Sequence, residues 1–65
     1  MGRRKKEPRA VHRENIASAA SVLFMENGIT ATSMSDIAEA AGYSKATLYV
    51  YFENKEEIIG LLVLE

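Results

Sequence analysis

The sequence predicts an all-α fold, a three-helix bundle that contains a helix-turn-helix and is followed by the start of a fourth helix. Apolar residues recur three or four positions apart in each predicted helix, and residues that favour helix ends bound each of them. No segment shows the alternation of apolar and polar residues that would predict a strand. A chain of 65 residues buries only ~60 % of its unfolded surface, so we expect marginal stability.

Residues 1–9, MGRRKKEPR, are basic and show no helical periodicity, so we predict that they form a flexible arm. Residues 1–13 hold six basic residues and one acid, a net charge of +5, whereas residues 14–65 hold two lysines and eight acids, a net charge of −6. The overall charge of −1 therefore conceals a basic end that suits an anionic partner. Pro8 is a favourable residue for entry into the first helix.

The first helix is predicted over residues 10–27, with one apolar stripe made of Ile16, Ala19, Ala20, Leu23 and Phe24. Gly28 ends it and is expected to adopt the left-handed conformation of a helix C-cap. Met25, like Met34 in the next helix, is expected to fill the core. His12 is expected to lie on the surface near the basic arm.

The second helix is predicted to begin after Ser33, because Ser33 and Asp36 have the spacing of a capping box. It runs for about eight residues before Gly42 ends it. Its inward face is predicted to consist of Met34, Ile37, Ala38 and Ala41.

The third helix is predicted to run from a cap at Ser44 to about Tyr51. Leu48 and Phe52 lie four residues apart, so they share its inner face.

The fourth helix is predicted to begin at an Asn54 cap, with Glu57 at the third helical position. It is apolar nearly all round from Ile58 to Leu64, so we expect this segment to be buried in a longer protein or in a dimer.

Ala38, Gly42 and Leu48 have the spacing that a helix-turn-helix requires. The motif needs a small residue where its helices cross, a glycine at the turn and an apolar residue inside the second helix. A plain helical hairpin fits the same three residues, so the spacing alone leaves both interpretations open.

Basic side chains lie at the starts of three predicted helices: Arg9 and Arg13, then Lys45, then Lys55. A cation at the positive end of a helix is mildly unfavourable unless an anion binds there as well. Solvation accounts for any one of them alone, but three together favour a phosphate backbone as the partner.

The outward face of the third helix is predicted to be small, neutral and able to hydrogen-bond. Thr47 can bond a base or a phosphate, and Ala46 or Val50 can meet a thymine methyl group. The face lacks the Arg, Asn or Gln that reads guanine or adenine in bidentate fashion, which leaves Lys45 as the candidate for guanine. Tyr43 is expected to pack its ring in the interior and to find a partner for its hydroxyl.

Composition excludes several classes of function. The chain has no cysteine and one histidine, which excludes disulfide frameworks, thiolate metal sites and histidine clusters. It offers no nucleophile with a base and no paired carboxylates in a pocket, so we expect no enzyme and no cofactor. No stretch approaches the ~20 apolar residues of a membrane span and no signal peptide is evident, so we expect a cytoplasmic protein without a membrane partner.

The run TSMSDIAEAAGYSKATLYVYFENKEEI, from Thr32 to Ile58, resembles the N-terminal domain of the tetracycline-repressor (TetR/AcrR) family of bacterial transcriptional regulators. The run IASAASVLFMENG, from Ile16 to Gly28, looks like helix 1 of that family. The resemblance covers about residues 10–65. It implies sequence-specific binding to a double-stranded DNA operator, with the third helix in the major groove, in a regulator that is a ligand-released repressor at full length.

The resemblance also implies roles for individual residues. Thr32 and Ser33 match the family's usual phosphate contact, Tyr49 matches its DNA-facing tyrosine, and Lys55 matches its phosphate-binding lysine. The basic arm is not part of the family pattern, although some members carry arms that enter the minor groove. The predicted DNA-binding residues are Arg3, Arg4, Lys5, Lys6, Arg9, Thr32, Ser33, Ser44, Lys45, Ala46, Thr47, Tyr49, Tyr51 and Lys55.

Three segments are therefore predicted. Residues 1–9 form the arm, residues 10–53 the helix-turn-helix domain, and residues 54–65 the start of a helix that connects to an absent C-terminal domain for ligand binding and dimerisation. The resemblance implies a homodimer and a small-molecule effector at full length, and a monomer for this chain alone. The alternative is a helical protein-interaction module whose basic arm binds an acidic partner.

Overall fold

The computed structural model describes residues 8–63, and within them it contains four helices and no strand. They are α1 (Arg9–Asn27), α2 (Met34–Ala41), α3 (Lys45–Tyr51) and α4 (Lys55–Val63). The all-α prediction is confirmed, and each predicted helix lies within one or two residues of its observed position. The predictions for Arg3, Arg4, Lys5, Lys6 and Leu64 lie outside the described residues. No helix in the described part of the chain is long and apolar enough to cross a membrane.

The core lies where α1 packs against α2, α3 and α4. Buried apolar side chains come from all four helices and from the residue after α3: Ile16, Ala17, Ala20, Ile37, Ala38, Leu48, Phe52 and Ile58. The predicted inner faces of α2 and α3 are confirmed, with Met34 and Ala41 partly buried against this core. The stripe predicted on α1 is confirmed at Ile16 and Ala20, which are buried, and at Leu23 and Phe24, which are partly buried against the core. The prediction omitted Ala17, which is buried as well.

Two predictions about the end of α1 are wrong. Met25 is 85 % exposed and fills no core. Gly28 has a positive φ of 89°, as expected, but its ψ of 154° lies outside the left-handed helical region. Its N–H still donates to the Phe24 carbonyl at 2.9 Å, so α1 ends at the predicted place.

The helix-turn-helix is built on local hydrogen bonds. Asp36 N donates to Ser33 Oγ at 3.1 Å, and Ser33 N donates to Asp36 Oδ2 at 3.0 Å, which completes the predicted capping box of α2. Gly42 adopts the left-handed conformation, with φ 82° and ψ 26°. The next amide, that of Tyr43, donates to the Ala38 carbonyl at 2.9 Å, as in a Schellman motif. These contacts set the turn that leads into α3.

The last two helices begin with the predicted caps. Ser44 Oγ accepts from Thr47 N at 3.1 Å at the start of α3. Asn54 Oδ1 accepts from Glu57 N at 3.1 Å at the start of α4. Glu57 Oε1 in turn accepts from Glu53 N at 3.0 Å. The side chains of Asn54 and Glu57 thus hold the short link between α3 and α4 against the first turn of α4.

Candidate nucleic-acid interface

The exposed face of α3 lies opposite the two buried residues that anchor this helix, Leu48 and Phe52. Tyr49 is 45 % exposed and Val50 63 % exposed, and Ala46 is also open to solvent. An α-helix with its side chains is about 10–12 Å in diameter, which fits a major groove ~12 Å wide. The predicted neutral, outward face of this seven-residue helix is exposed and therefore available to a ligand.

The start of α3 presents polar groups beside that face. Lys45 is exposed in the first turn. Ser44 Oγ donates to Thr47 Oγ1 at 2.9 Å, so the Thr47 hydroxyl accepts one hydrogen bond and keeps its own proton to donate. Ser33, at the start of α2, is exposed as well. Ser33, Lys45 and Thr47 can each donate to a phosphate oxygen or to a base acceptor, whereas the Ser44 hydroxyl already donates its one proton to Thr47.

Thr32 is placed differently from its neighbour. It is only 1 % exposed, and its hydroxyl donates to the Gly28 carbonyl at 2.8 Å and lies 3.5 Å from the Leu23 carbonyl. The hydroxyl therefore closes the C-terminal end of α1 from inside the fold. The Thr32 hydroxyl thus has partners within the chain, whereas the Ser33 side chain is exposed, and the phosphate contacts of both residues stay predictions.

Lys55 opens α4 as predicted, but its ammonium group has internal partners. Nζ donates to the carbonyls of Ile29 and Thr32 at 2.7 Å each. Two of the three ammonium protons are thus directed at the connector between α1 and α2. A cation at this helix start needs no bound anion, because carbonyl oxygens of the same chain already partner it.

An aromatic cluster joins the start of α1 to the end of α3. His12 Nδ1 lies 2.8 Å from the Tyr43 hydroxyl, and the two rings meet edge to face with centroids 5.8 Å apart. The Tyr51 ring lies 5.6 Å from His12 and 6.5 Å from Tyr43, centroid to centroid. Arg9 stacks over Tyr51, with Cζ 4.9 Å from the ring centroid.

This cluster settles the positions of two residues. Tyr43 packs its ring and has a hydroxyl partner, as predicted. His12 is half-buried instead of lying on the surface, and the prediction for it is wrong. Because 31 positions separate His12 from Tyr43, no local pattern indicates the contact. The cluster fixes the start of α1, the point at which residues 1–8 join the fold, beside Tyr51.

Arg13 faces the core. Its Cζ lies 4.9 Å from the centroid of the Phe52 ring, and its Nε is buried with no hydrogen-bond partner. A cation over an aromatic face is stabilised by the ring quadrupole. Arg13 thus packs α1 against the end of α3, and its position does not depend on a bound phosphate.

The capping box of α2 lowers the pKa of Asp36. The pKa of the Asp36 carboxyl lies below its ordinary value of 3.8, first because the Ser33 backbone N–H donates to it and second because of the Ser33 side chain. The charged form is therefore favoured at the start of α2, where the helix dipole also favours an anion.

Comparison with known proteins gives a consistent assignment. Residues 16–62 match the family model described as bacterial regulatory proteins, tetR family. The chain is 38 % identical over 63 residues to the HTH-type transcriptional regulator TtgR of Pseudomonas putida, an alignment that covers 97 % of this chain and 30 % of TtgR. All four described helices fall largely within these matched residues.

Two further relatives carry similar names. The chain is 33 % identical over 58 residues to the HTH-type transcriptional regulator AcrR of Shigella flexneri, covering 89 % of this chain and 27 % of AcrR. It is 40 % identical over 47 residues to the HTH-type transcriptional repressor KstR2 of Rhodococcus jostii, covering 72 % of this chain and 23 % of KstR2. The chain thus spans less than a third of the length of these relatives.

Proposed function

Because the chain belongs to the tetR family of bacterial regulatory proteins, we propose that residues 10–53 are the operator-reading domain of a transcriptional regulator, a ligand-released repressor at full length. The observation that carries the proposal is the exposed, neutral face of α3, formed by Ala46, Tyr49 and Val50 opposite a fully buried anchor. Such a face enters a major groove without electrostatic or steric conflict. It is a binding function, and no catalytic step is assigned to it.

The polar residues around this face supply the contacts to the DNA backbone. Ser33 and Thr47 donate neutral hydrogen bonds, Ser44 orients the Thr47 hydroxyl by donating to it, and Lys45 supplies a charge. Phosphate contacts of this kind fix the register of a protein on the duplex, whereas contacts to base edges specify the sequence. Arg9 and Tyr51 lie together at the other end of α3, where the basic arm joins the fold. We place the non-specific part of the affinity in that arm.

The rest of the regulator is proposed from the family. Residues 54–65 would connect to a C-terminal domain that binds a small-molecule effector and forms the homodimer. Two linked domains would then dock on half-sites about one helical turn apart, whereas this chain alone would bind as a monomer. A regulator of this kind acts in the cytoplasm, where bacterial DNA lies.

The test is selection from a library of random duplexes by this chain at ~150 mM salt, followed by sequencing of the bound pool. We expect one short motif to be enriched. Met25→Ala is the matched control for variants of the α3 face, since Met25 is exposed on α1. Binding without enrichment would refute sequence reading by α3.

The protein-interaction alternative depends on the apolar surface of α4, where Val63 is 73 % exposed and Leu61 and Leu62 are half-buried. Family membership does not favour it. Deletion of residues 1–8 separates the two functions. A DNA reader keeps its sequence preference without the arm, whereas a module that binds anions only through the arm loses all binding to duplexes.

A further inference from the structure

The peptide group between Thr32 and Ser33 is hydrogen-bonded on both sides to charged side chains. Its carbonyl, Thr32 O, accepts from Lys55 Nζ at 2.7 Å, and its N–H, Ser33 N, donates to Asp36 Oδ2 at 3.0 Å. Charge-assisted bonds are stronger than neutral ones, and two bonds in series through one peptide polarise it in the same sense. Lys55 on α4 and Asp36 on α2 therefore stabilise each other through this peptide.

Lys55 Nζ also binds a second carbonyl, that of Ile29, in the connector between α1 and α2. The Ile29 carbonyl accepts from Lys55 Nζ at 2.7 Å and from Thr32 N at 3.2 Å. The buried Thr32 hydroxyl holds the Gly28 carbonyl from the inside. One ammonium group, 26 and 23 positions away in the sequence, thus binds both ends of the turn that precedes the cap of α2.

We infer that Lys55 is a positioning residue that couples the start of α4 to the Ser33 cap of α2 through the Thr32–Ser33 peptide. Its contribution to DNA binding is made through Ser33, and this part of the inference rests on the proposed function. A movement of the start of α4 away from the connector breaks both ammonium bonds and releases the cap. The sequence resemblance instead implies a direct bond from this lysine to phosphate, and the two roles give different results in solution.

The first readout needs no DNA. Amide hydrogen exchange at Ser33 reports the bond to Asp36 directly. We expect Lys55→Met to speed this exchange by about tenfold, the equivalent of one charge-assisted bond lost. Lys55→Arg keeps donors that can reach both carbonyls, so it should stay near the rate of the unmodified chain. Lys45→Met is the matched control, since Lys45 is exposed at the start of α3 and its loss should leave the Ser33 rate unchanged.

A double-mutant cycle tests the coupling between α4 and α2. Asp36→Asn weakens the other bond of the same peptide, so Lys55→Met should speed Ser33 exchange less in that background than in the unmodified chain. Equal effects of Lys55→Met in the two backgrounds would overturn the coupling through the peptide. If Lys55→Met does not fold, Lys55→Gln replaces it, because the amide keeps donors and lacks the charge.

The second readout is the dependence of DNA affinity on salt, measured with a duplex from the selected pool or, if none is enriched, with the random pool. Loss of a phosphate contact lowers the slope of log K against log salt by about 0.9. We expect that change for Lys45→Met and less than half of it for Lys55→Met, although Lys55→Met weakens binding. A full change of slope for Lys55→Met with an unchanged Ser33 rate would overturn the inference and show a direct phosphate contact. Failure of all duplex binding would refute the proposed function alone, since the exchange readout stands without it.

Discussion

Gly42 provides the sharpest test of the turn between α2 and α3. Its φ of 82° lies in the left-handed region, which costs an L residue about 1–2 kcal/mol. A Cβ added at position 42 would meet no heavy atom within 4 Å. Backbone strain is therefore the whole cost, with no contribution from crowding. We expect Gly42→Ala to lower the free energy of unfolding by ~1 kcal/mol and Gly42→Val by ~2 kcal/mol, because β-branched residues tolerate this region least.

The assay is thermal unfolding followed by far-ultraviolet circular dichroism. For a domain of this size, 1 kcal/mol corresponds to a change in Tm of roughly 4–8 °C. Gly60→Ala is the matched control, because Gly60 lies within α4 and a Cβ there also meets no heavy atom within 4 Å. Alanine is favoured over glycine in a helix by roughly 0.5–1 kcal/mol. The same substitution should thus lower Tm at position 42 and raise it at position 60.

Equal shifts of the same sign at the two glycines would refute this reasoning. Such a result would mean that residue 42 does not hold a left-handed conformation in solution, and that the helix-turn-helix is not built on this turn. Gly42→Asn gives a further check. Asparagine visits the left-handed region more readily than alanine, so its Tm should lie between those of the unmodified chain and Gly42→Ala.

Three further predictions concern the surface. Tyr49→Ala should weaken binding to the selected duplex about tenfold, the effect of one contact worth ~1.4 kcal/mol, while Met25→Ala leaves affinity unchanged and both keep the helical spectrum. Replacing thymine by uracil in that duplex should weaken binding about fourfold per contacted methyl group, or ~0.8 kcal/mol, and Val50→Ala should abolish this sensitivity at one position. Because the pKa of Asp36 is lower in the folded chain, its contribution to stability is fully present above its ordinary pKa and is lost as pH falls through the folded pKa. The free energy of unfolding should therefore depend less steeply on pH in the acid range in Asp36→Asn than in the unmodified chain. An unchanged slope would contradict the bond between Asp36 and the Ser33 amide.

The features that the sequence predicts well are local ones. The caps at Ser33, Ser44 and Asn54 each depend on a bond to a residue three positions on, so residue type and spacing are sufficient to find them. The prediction for Met25 is wrong because it rests on the apolar residue type and ignores the angular position of Met25 on α1. At about 100° per residue, Met25 lies on the side of α1 opposite Ile16, and the observed exposure of Met25 follows from that position.

The features that the sequence does not predict join distant parts of the chain. His12 meets Tyr43 across 31 positions, and Lys55 meets Ile29 and Thr32 across 26 and 23. Periodicity describes which face of a helix is buried, but not which side chain of another helix it meets. The resemblance assigns Lys55 to phosphate binding, which predicts that Lys55→Ala weakens DNA binding without unfolding, whereas the observed bonds imply a cost in stability as well.

The cations at the helix starts change the basis of the DNA proposal. Their positions at helix starts predict unpaired charges that bind phosphate, yet Arg9 stacks on Tyr51, Arg13 stacks on Phe52, and Lys55 binds two carbonyls. Internal partners thus account for three of these side chains, and Lys45 is the one exposed at the start of α3.

The case for DNA therefore depends on the exposed face of α3 and on family membership more than on those charges. Selectivity and affinity are then assigned to two different parts of the chain. In the proposed function the neutral α3 face supplies selectivity with little charge, so we expect most of the electrostatic affinity to come from the basic arm, where residues 1–8 carry a net charge of +3. Deletion of residues 1–8 should then weaken binding to every duplex by a similar factor and flatten its salt dependence, while the ratio of affinities between the selected motif and a scrambled one stays constant. A falling ratio would place sequence reading in the arm and remove it from α3.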